Sequence, residues 1–299
     1  MFFVNIIKSV FLGIIEGITE WLPISSTGHM ILFDALFPMQ VTDSFKDFFL
    51  VAIQLGAILA VVILYWNKIW PFHLKRTAVK PYFTADGGRR VGAFKNWCNN
   101  YVHADRFILW FKILVASIPA AVLGLAFDDQ IDSLLTGDSR AYVVGATLII
   151  YGVLFIVIER MNKRESVLAL PDLTYKTALL IGLMQCLALV PGTSRSGTTI
   201  LGAMLLGCSR TIAAEFSFFL SIPAMAGGSG IKLLQFLADG NSFSSQELVI
   251  LAVGSIVAFV VSVLAIKFLM AYIRRHDFKA FGYYRIVLGI IVLLYFSLV

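Results

Sequence analysis

Charged residues are scarce in this chain: lysine, arginine, aspartate and glutamate make up 14% of its 299 residues, against about 25% in ordinary soluble domains. With 59% hydrophobic residues and a mean hydropathy of +0.86, that shortage excludes an ordinary soluble domain. Cysteine is scarcer still. Cys98, Cys186 and Cys208 form no pair or cluster, which excludes a disulfide or zinc framework. Period-two alternation is also missing; the apolar runs are continuous, which argues against a β-barrel. Glu16 and Glu20 interrupt the first apolar run and no small-residue cleavage site follows, so the N-terminus does not read as a signal peptide.

Several apolar runs reach the ~20 residues needed to cross a bilayer as a helix. The chain therefore reads as an all-α polytopic membrane protein, a single integral membrane domain over 1–299. About six full spans are expected, at 48–66, 107–127, 141–158, 211–237, 248–270 and 284–299. Two shorter, proline-broken segments, 2–37 and 177–207, read as re-entrant helical hairpins. Broken helices of that kind are tolerated at membrane depth where protein or a water-filled cavity encloses them. The formal charge of +6 sits in loops, as topology rules expect, and does not call for a nucleic-acid partner. The basic segments 67–106, 159–176 and 271–285 are placed in the cytoplasm, and the acidic loops at 38–47, 128–140 and 238–247 outside. With this alternation the two hairpins enter from opposite sides. That parity is what an inverted-topology repeat requires, with copies over approximately 1–160 and 172–299. Gly13, Glu16, Ser25 and Gly28 recur, 169 residues later, as Gly182, Gln185, Ser194 and Gly197.

The hairpins carry the chemistry. The first contains Glu16-Gly-Ile-Thr-Glu20-Trp-Leu-Pro-Ile-Ser25-Ser26-Thr27-Gly28-His29. Glu16 and Glu20 share one helix face and repel each other unless something intervenes. The second contains Pro191-Gly-Thr-Ser194-Arg195-Ser196-Gly197-Thr198-Thr199. Arg195 offers a planar fork suited to phosphate oxygens, and the glycines let backbone N–H groups approach an anion. Glu16 and Glu20 suit a hard divalent cation, Mg²⁺ or Ca²⁺. Metal, phosphate and arginine together are the parts used in phosphoryl transfer. Plainer roles stay open: Ser25 and Thr198 as helix caps, His29 as a donor to a carbonyl, and Arg195 as the structural partner of Glu16 or Glu20.

At these two motifs the sequence resembles the undecaprenyl pyrophosphate phosphatases, also called bacitracin resistance proteins, and the likeness in hydrophobic pattern covers nearly the whole chain. The long, basic segment 67–106 is the visible departure. The resemblance implies hydrolysis of undecaprenyl pyrophosphate to undecaprenyl phosphate, the lipid carrier for peptidoglycan precursors, and inorganic phosphate. It also implies a divalent metal, the bacterial cytoplasmic membrane with a site open to its external side, and resistance to bacitracin. The family's functional positions fall on Glu16, Glu20, Ser26, His29, Arg195 and Thr199. On this reading Glu16 and Glu20 hold the metal. Arg195, with Ser194, Ser196, Gly197 and Thr199, binds the transferred phosphate. Ser26 attacks with His29 as general base, or else His29 activates water.

The rival reading is a transporter or flippase of polyprenyl phosphate lipids, for which broken helices in inverted repeats are equally suited. A phosphatase of the phosphatidic acid type is excluded: its Ser-Arg-x-x-x-x-x-His pattern would need histidine at 201, which is Leu. Membrane lipids are the expected surroundings, and a homodimer is admitted without being read from the sequence.

Overall fold

The computed structural model describes residues 1–72, 101–127, 139–161 and 164–298. Most of the basic segment 67–106, most of the acidic loop 128–140, Lys163 and Cys98 lie outside the described residues. The helices, in chain order, are α1 (Phe2–Thr19), α2 (Ser26–Leu36), α3 (Asp43–Leu64), α4 (Trp66–Ile69), α5 (Ala104–Ala126), α6 (Ser139–Arg160), α7 (Tyr175–Gln185), α8 (Arg195–Leu205), α9 (Arg210–Ala238), α10 (Ser245–Ile273) and α11 (Lys279–Leu298). Seven are long and apolar enough to cross a membrane: the six expected spans and, in addition, α1, the first arm of the first hairpin. Apolar side chains such as Ile118, Leu125, Leu264 and Leu294 point outward. The protein is an integral membrane protein.

Helix boundaries follow local chemistry. Thr42 accepts the amide of Phe45 at 3.3 Å and so starts α3. Ser209 does the same for α9, and Ser244 with Glu247 forms a reciprocal cap on α10. Ion pairs fasten several helix ends: Glu215 binds Lys68 at 2.7 Å and Glu159 binds Arg210 at 2.6 Å. The Glu159 carboxylate also accepts the amide of Phe278. Asp34 pairs with Lys46.

Close helix contacts decide where the site lies. Helices α6 and α11 run antiparallel with glycine facing glycine at two levels, a turn of packing that no larger residue permits. A Cβ on Gly152 would lie 2.7 Å from the carbonyl oxygen of Gly282, and one on Gly289 would lie 2.7 Å from that of Gly145. Helix α1 lies along α10 with Gly13 against the Gly254 carbonyl, and α7 lies on α5 with Gly182 against Ala116. Helix α3 packs on both α10 and α9. Within this frame α2 and α8 are short helices held against α6.

Candidate active site between two broken helices

Both hairpins break for the same local reason. Pro23 and Pro191 lack the N–H that would continue a helix, and each is followed by a serine in the left-handed region, Ser25 at φ 73° and Ser194 at φ 69°. They are the two non-glycine residues with positive φ among the described residues. Such a backbone costs about 1–3 kcal/mol and persists where the surroundings impose it. The reward is a cap: Ser25 Oγ accepts the amide of Gly28 at 3.4 Å, and Ser194 Oγ that of Gly197 at 3.2 Å. Ser25 is thus a helix cap. Thr198 is not; its hydroxyl donates to the Arg195 carbonyl at 2.9 Å.

The two tips meet. Arg195 donates through Nε and Nη2 to Glu20 Oε1, at 3.3 and 3.1 Å, and through Nη1 to the carbonyl of Ser217 at 2.9 Å. The other oxygen of Glu20 accepts the hydroxyl of Ser26 at 3.1 Å. One carboxylate therefore holds the arginine of one hairpin and the serine of the other. Thr199 is fully buried behind this pair; it donates to the Arg195 carbonyl at 2.8 Å and accepts from Ser217 at 2.6 Å. Ser196 is fully buried too and shares a hydrogen bond with Ser194. The Gly197 amide is taken up by Ser194, so this group shapes the cradle around Arg195.

His29 makes its two hydrogen bonds to groups other than Ser26. Its Nδ1 lies 2.7 Å from the Ser25 carbonyl, which only accepts, so Nδ1 carries the proton. Its Nε2 lies 2.7 Å from the Tyr284 hydroxyl. The donor-to-carbonyl role left open by the sequence is therefore real, and the serine's proton has Glu20 as its acceptor in this structure.

Besides Tyr284, two participants have no place in either motif. Ser217, on α9, accepts from Arg195 through its carbonyl and donates to Thr199 through its hydroxyl. Arg285, assigned by sequence to the basic cytoplasmic segment 271–285, is instead fully buried inside α11. It donates to the carbonyls of Pro23 at 3.1 Å, Gly192 at 2.8 Å and Thr193 at 3.0 Å, and so ties both tips together. A Cβ on Gly197 would sit 3.2 Å from its Nη1, which accounts for glycine there. The positive-inside rule misplaced Arg285 because α11 begins at Lys279, five residues before the expected span at 284–299. The spacing of Gly282 and Gly289 around it was the available signal.

Glu16 is the unsatisfied member. It is fully buried and neither carboxylate oxygen has a partner. A buried, unpaired carboxylate is costly unless something neutralises it. Among the described residues no group of three or more acidic, histidine or cysteine side chains could enclose a metal. Mg²⁺ is commonly bound by one or two carboxylates plus water and substrate phosphates; the residues here that could hold one are Glu16, whose oxygens are free, and Glu20, whose oxygens already accept from Arg195 and Ser26.

A buried ion pair, a hydroxyl and an orphan carboxylate between two broken helices make up the candidate site of this membrane protein. The chain belongs to a particular family of that class: residues 9–291 match the family described as bacitracin resistance protein BacA. It is 52% identical over 294 residues to an undecaprenyl-diphosphatase of Enterococcus faecalis, covering 98% of this chain and 97% of that one. It is 54% identical over 295 residues to that of Acetivibrio thermocellus, 98% of each. With undecaprenyl-diphosphatase 1 of Clostridium acetobutylicum it shares 51% over 299 residues, 99% of each.

Proposed function

We propose that this protein is an undecaprenyl-diphosphatase: it hydrolyses undecaprenyl pyrophosphate to undecaprenyl phosphate and inorganic phosphate, returning the carrier to cell-wall synthesis and conferring bacitracin resistance. The observation that carries the reading is the Glu20 carboxylate held between Ser26 and Arg195, together with full-length relatives of that name. A transporter needs to bind a lipid phosphate but has no use for a hydroxyl placed on a carboxylate, and relatives bearing that name do not favour transport.

The roles follow from the contacts. Ser26 Oγ attacks the terminal phosphorus; its proton passes to Glu20 Oε2, and undecaprenyl phosphate leaves as the phosphorus–oxygen bridge breaks. Arg195 engages one N–H each of Nε, Nη1 and Nη2 with Glu20 and Ser217 and offers the remaining N–H of Nη1 and of Nη2 to the phosphoryl oxygens as their charge redistributes. Water, deprotonated by His29 Nε2, then attacks the phosphorus; the bond to Ser26 Oγ breaks, Glu20 Oε2 returns its proton to Oγ, and phosphate leaves. Glu16 and Glu20 would hold a divalent cation, Mg²⁺ or Ca²⁺, which supplies charge neutralisation to the pyrophosphate. The favoured alternative within this reading is direct attack by water, with Ser26 only binding; turnover by Ser26→Ala at near-normal rate would establish it.

The hairpins are read as diverged copies of one inverted repeat, 1–160 and 172–299. Supporting this, the two strained serines stand 169 residues apart and cap equivalent helices. Helix pairs also exchange under the copy swap: α1 with α10 answers α7 with α5, while α6 pairs with α11 and α3 with α9. With the basic ends in the cytoplasm, the site opens toward the external side of the bacterial inner membrane. Membrane lipids cover the exposed apolar faces, and a homodimer would use one of them. The deciding experiment is phosphate release from undecaprenyl pyrophosphate by purified protein in detergent with metal supplied. No release under any metal would overturn the proposal.

A further inference from the structure

A further polar contact of the site, besides those of Ser217 and Arg285, reaches outside both motifs. Tyr284, near the start of α11, stands 255 residues from His29, yet its hydroxyl is 2.7 Å from Nε2. The two rings lie nearly parallel, 8° apart, with centroids separated by 5.7 Å. Because Nδ1 gives its proton to the Ser25 carbonyl, neutral His29 keeps its lone pair at Nε2, where Tyr284 donates. Once Nε2 is protonated, the same hydroxyl can turn and accept. The imidazole can therefore gain and lose a proton without either ring moving.

The frame around Tyr284 is unusually well fixed. Its neighbour Arg285 is bonded to both hairpin tips, and Gly282, two residues back, is pressed against Gly152. A side chain held by such supports is pre-organised for its partner. Tyr284 is itself 46% exposed, so water or substrate can replace its hydroxyl at Nε2 without the helices separating.

We infer that Tyr284 is a positioning residue for this reaction: its hydroxyl holds the His29 imidazole with Nδ1 protonated and gives up Nε2 to the water that releases phosphate. The inference rests on the reading of His29 as proton carrier. A tyrosine serving packing alone would contribute equally whether or not residue 29 were histidine.

The test uses wild type, Tyr284→Phe, His29→Gln and the double variant, each assayed for phosphate release from undecaprenyl pyrophosphate in detergent with Mg²⁺. Tyr284→Phe keeps the ring and is expected to lower kcat about fivefold, the size of one neutral hydrogen bond, with KM within about twofold. Added to His29→Gln, it should cause no further loss. In ¹⁵N-histidine-labelled protein, the Nε2 resonance of His29, assigned by its disappearance in His29→Gln, should move in Tyr284→Phe. That measurement decides where the residual rate of His29→Gln is too slow to resolve. Equal losses in both backgrounds, or an unmoved Nε2 resonance, would overturn the inference. Wild-type turnover by His29→Gln would bring down the reading of His29 itself, with the resonance still reporting separately on the contact.

Discussion

Glu20 and Arg195 stand 175 residues apart in the chain and 3.1 Å apart in the fold. Their ion pair joins the acidic hairpin to the cationic one, and the second oxygen of Glu20 holds Ser26. The site thus exists only where the two broken helices meet.

Arg195→Lys tests the fork. An ammonium cannot span Glu20 and the Ser217 carbonyl while also gripping a phosphoryl group. Turnover should fall on the order of 10²-fold, as for loss of one transition-state donor. Phosphate release measures it, and activity within a few-fold of wild type would rule out a forked contact.

Ser26→Ala and His29→Gln separate the chemical steps. If Ser26 is the nucleophile, Ser26→Ala abolishes turnover and rapid mixing shows no phosphoenzyme. His29→Gln should then trap the phosphorylated serine, detectable as a mass increase on the peptide containing Ser26. Its absence under turnover would point to direct attack by water.

Glu16 should trade stability for activity. Its carboxylate is buried without a hydrogen-bond partner, so Glu16→Leu, which leaves no polar atom there, is expected to stabilise metal-free protein by about 1–3 kcal/mol, the cost of an unsatisfied buried group. The same change should abolish or weaken the dependence of activity on divalent metal. A lower melting temperature in detergent, with metal dependence unchanged, would contradict both parts.

Arg285→Met should loosen the tips. Three buried carbonyls, those of Pro23, Gly192 and Thr193, lose their donor, at about 1–3 kcal/mol each. The melting temperature should drop sharply, and cysteines placed at Ser26 and Arg195 in that background should cross-link less readily than in the parent.

Gly152→Ala probes the frame itself. The added methyl would meet the Gly282 carbonyl at 2.7 Å, an overpacking worth roughly 1–3 kcal/mol. Because α11 carries Tyr284 and Arg285, kcat should fall along with stability, while Gly227→Ala, whose methyl meets nothing within 4 Å, should leave both unchanged.

Much of this protein was legible in its residues because the signals are local. Hydropathy and helix length mark the spans, since a bilayer demands about 20 apolar residues whatever they pack against. Proline and serine mark the breaks at Pro23–Ser25 and Pro191–Ser194, because each limits its own backbone. The types of group in the motifs, carboxylate, hydroxyl and guanidinium, name phosphate chemistry by themselves. What only the tertiary structure decided is which groups touch. Ser26 went to Glu20 rather than His29, His29 to Tyr284, and Arg285 from a supposed cytoplasmic loop to the centre of the fold. Those choices depend on helices meeting glycine to glycine, at α6 and α11 above all. Contacts between residues hundreds of positions apart are set by how closely two backbones approach, and no stretch of sequence carries that distance within itself.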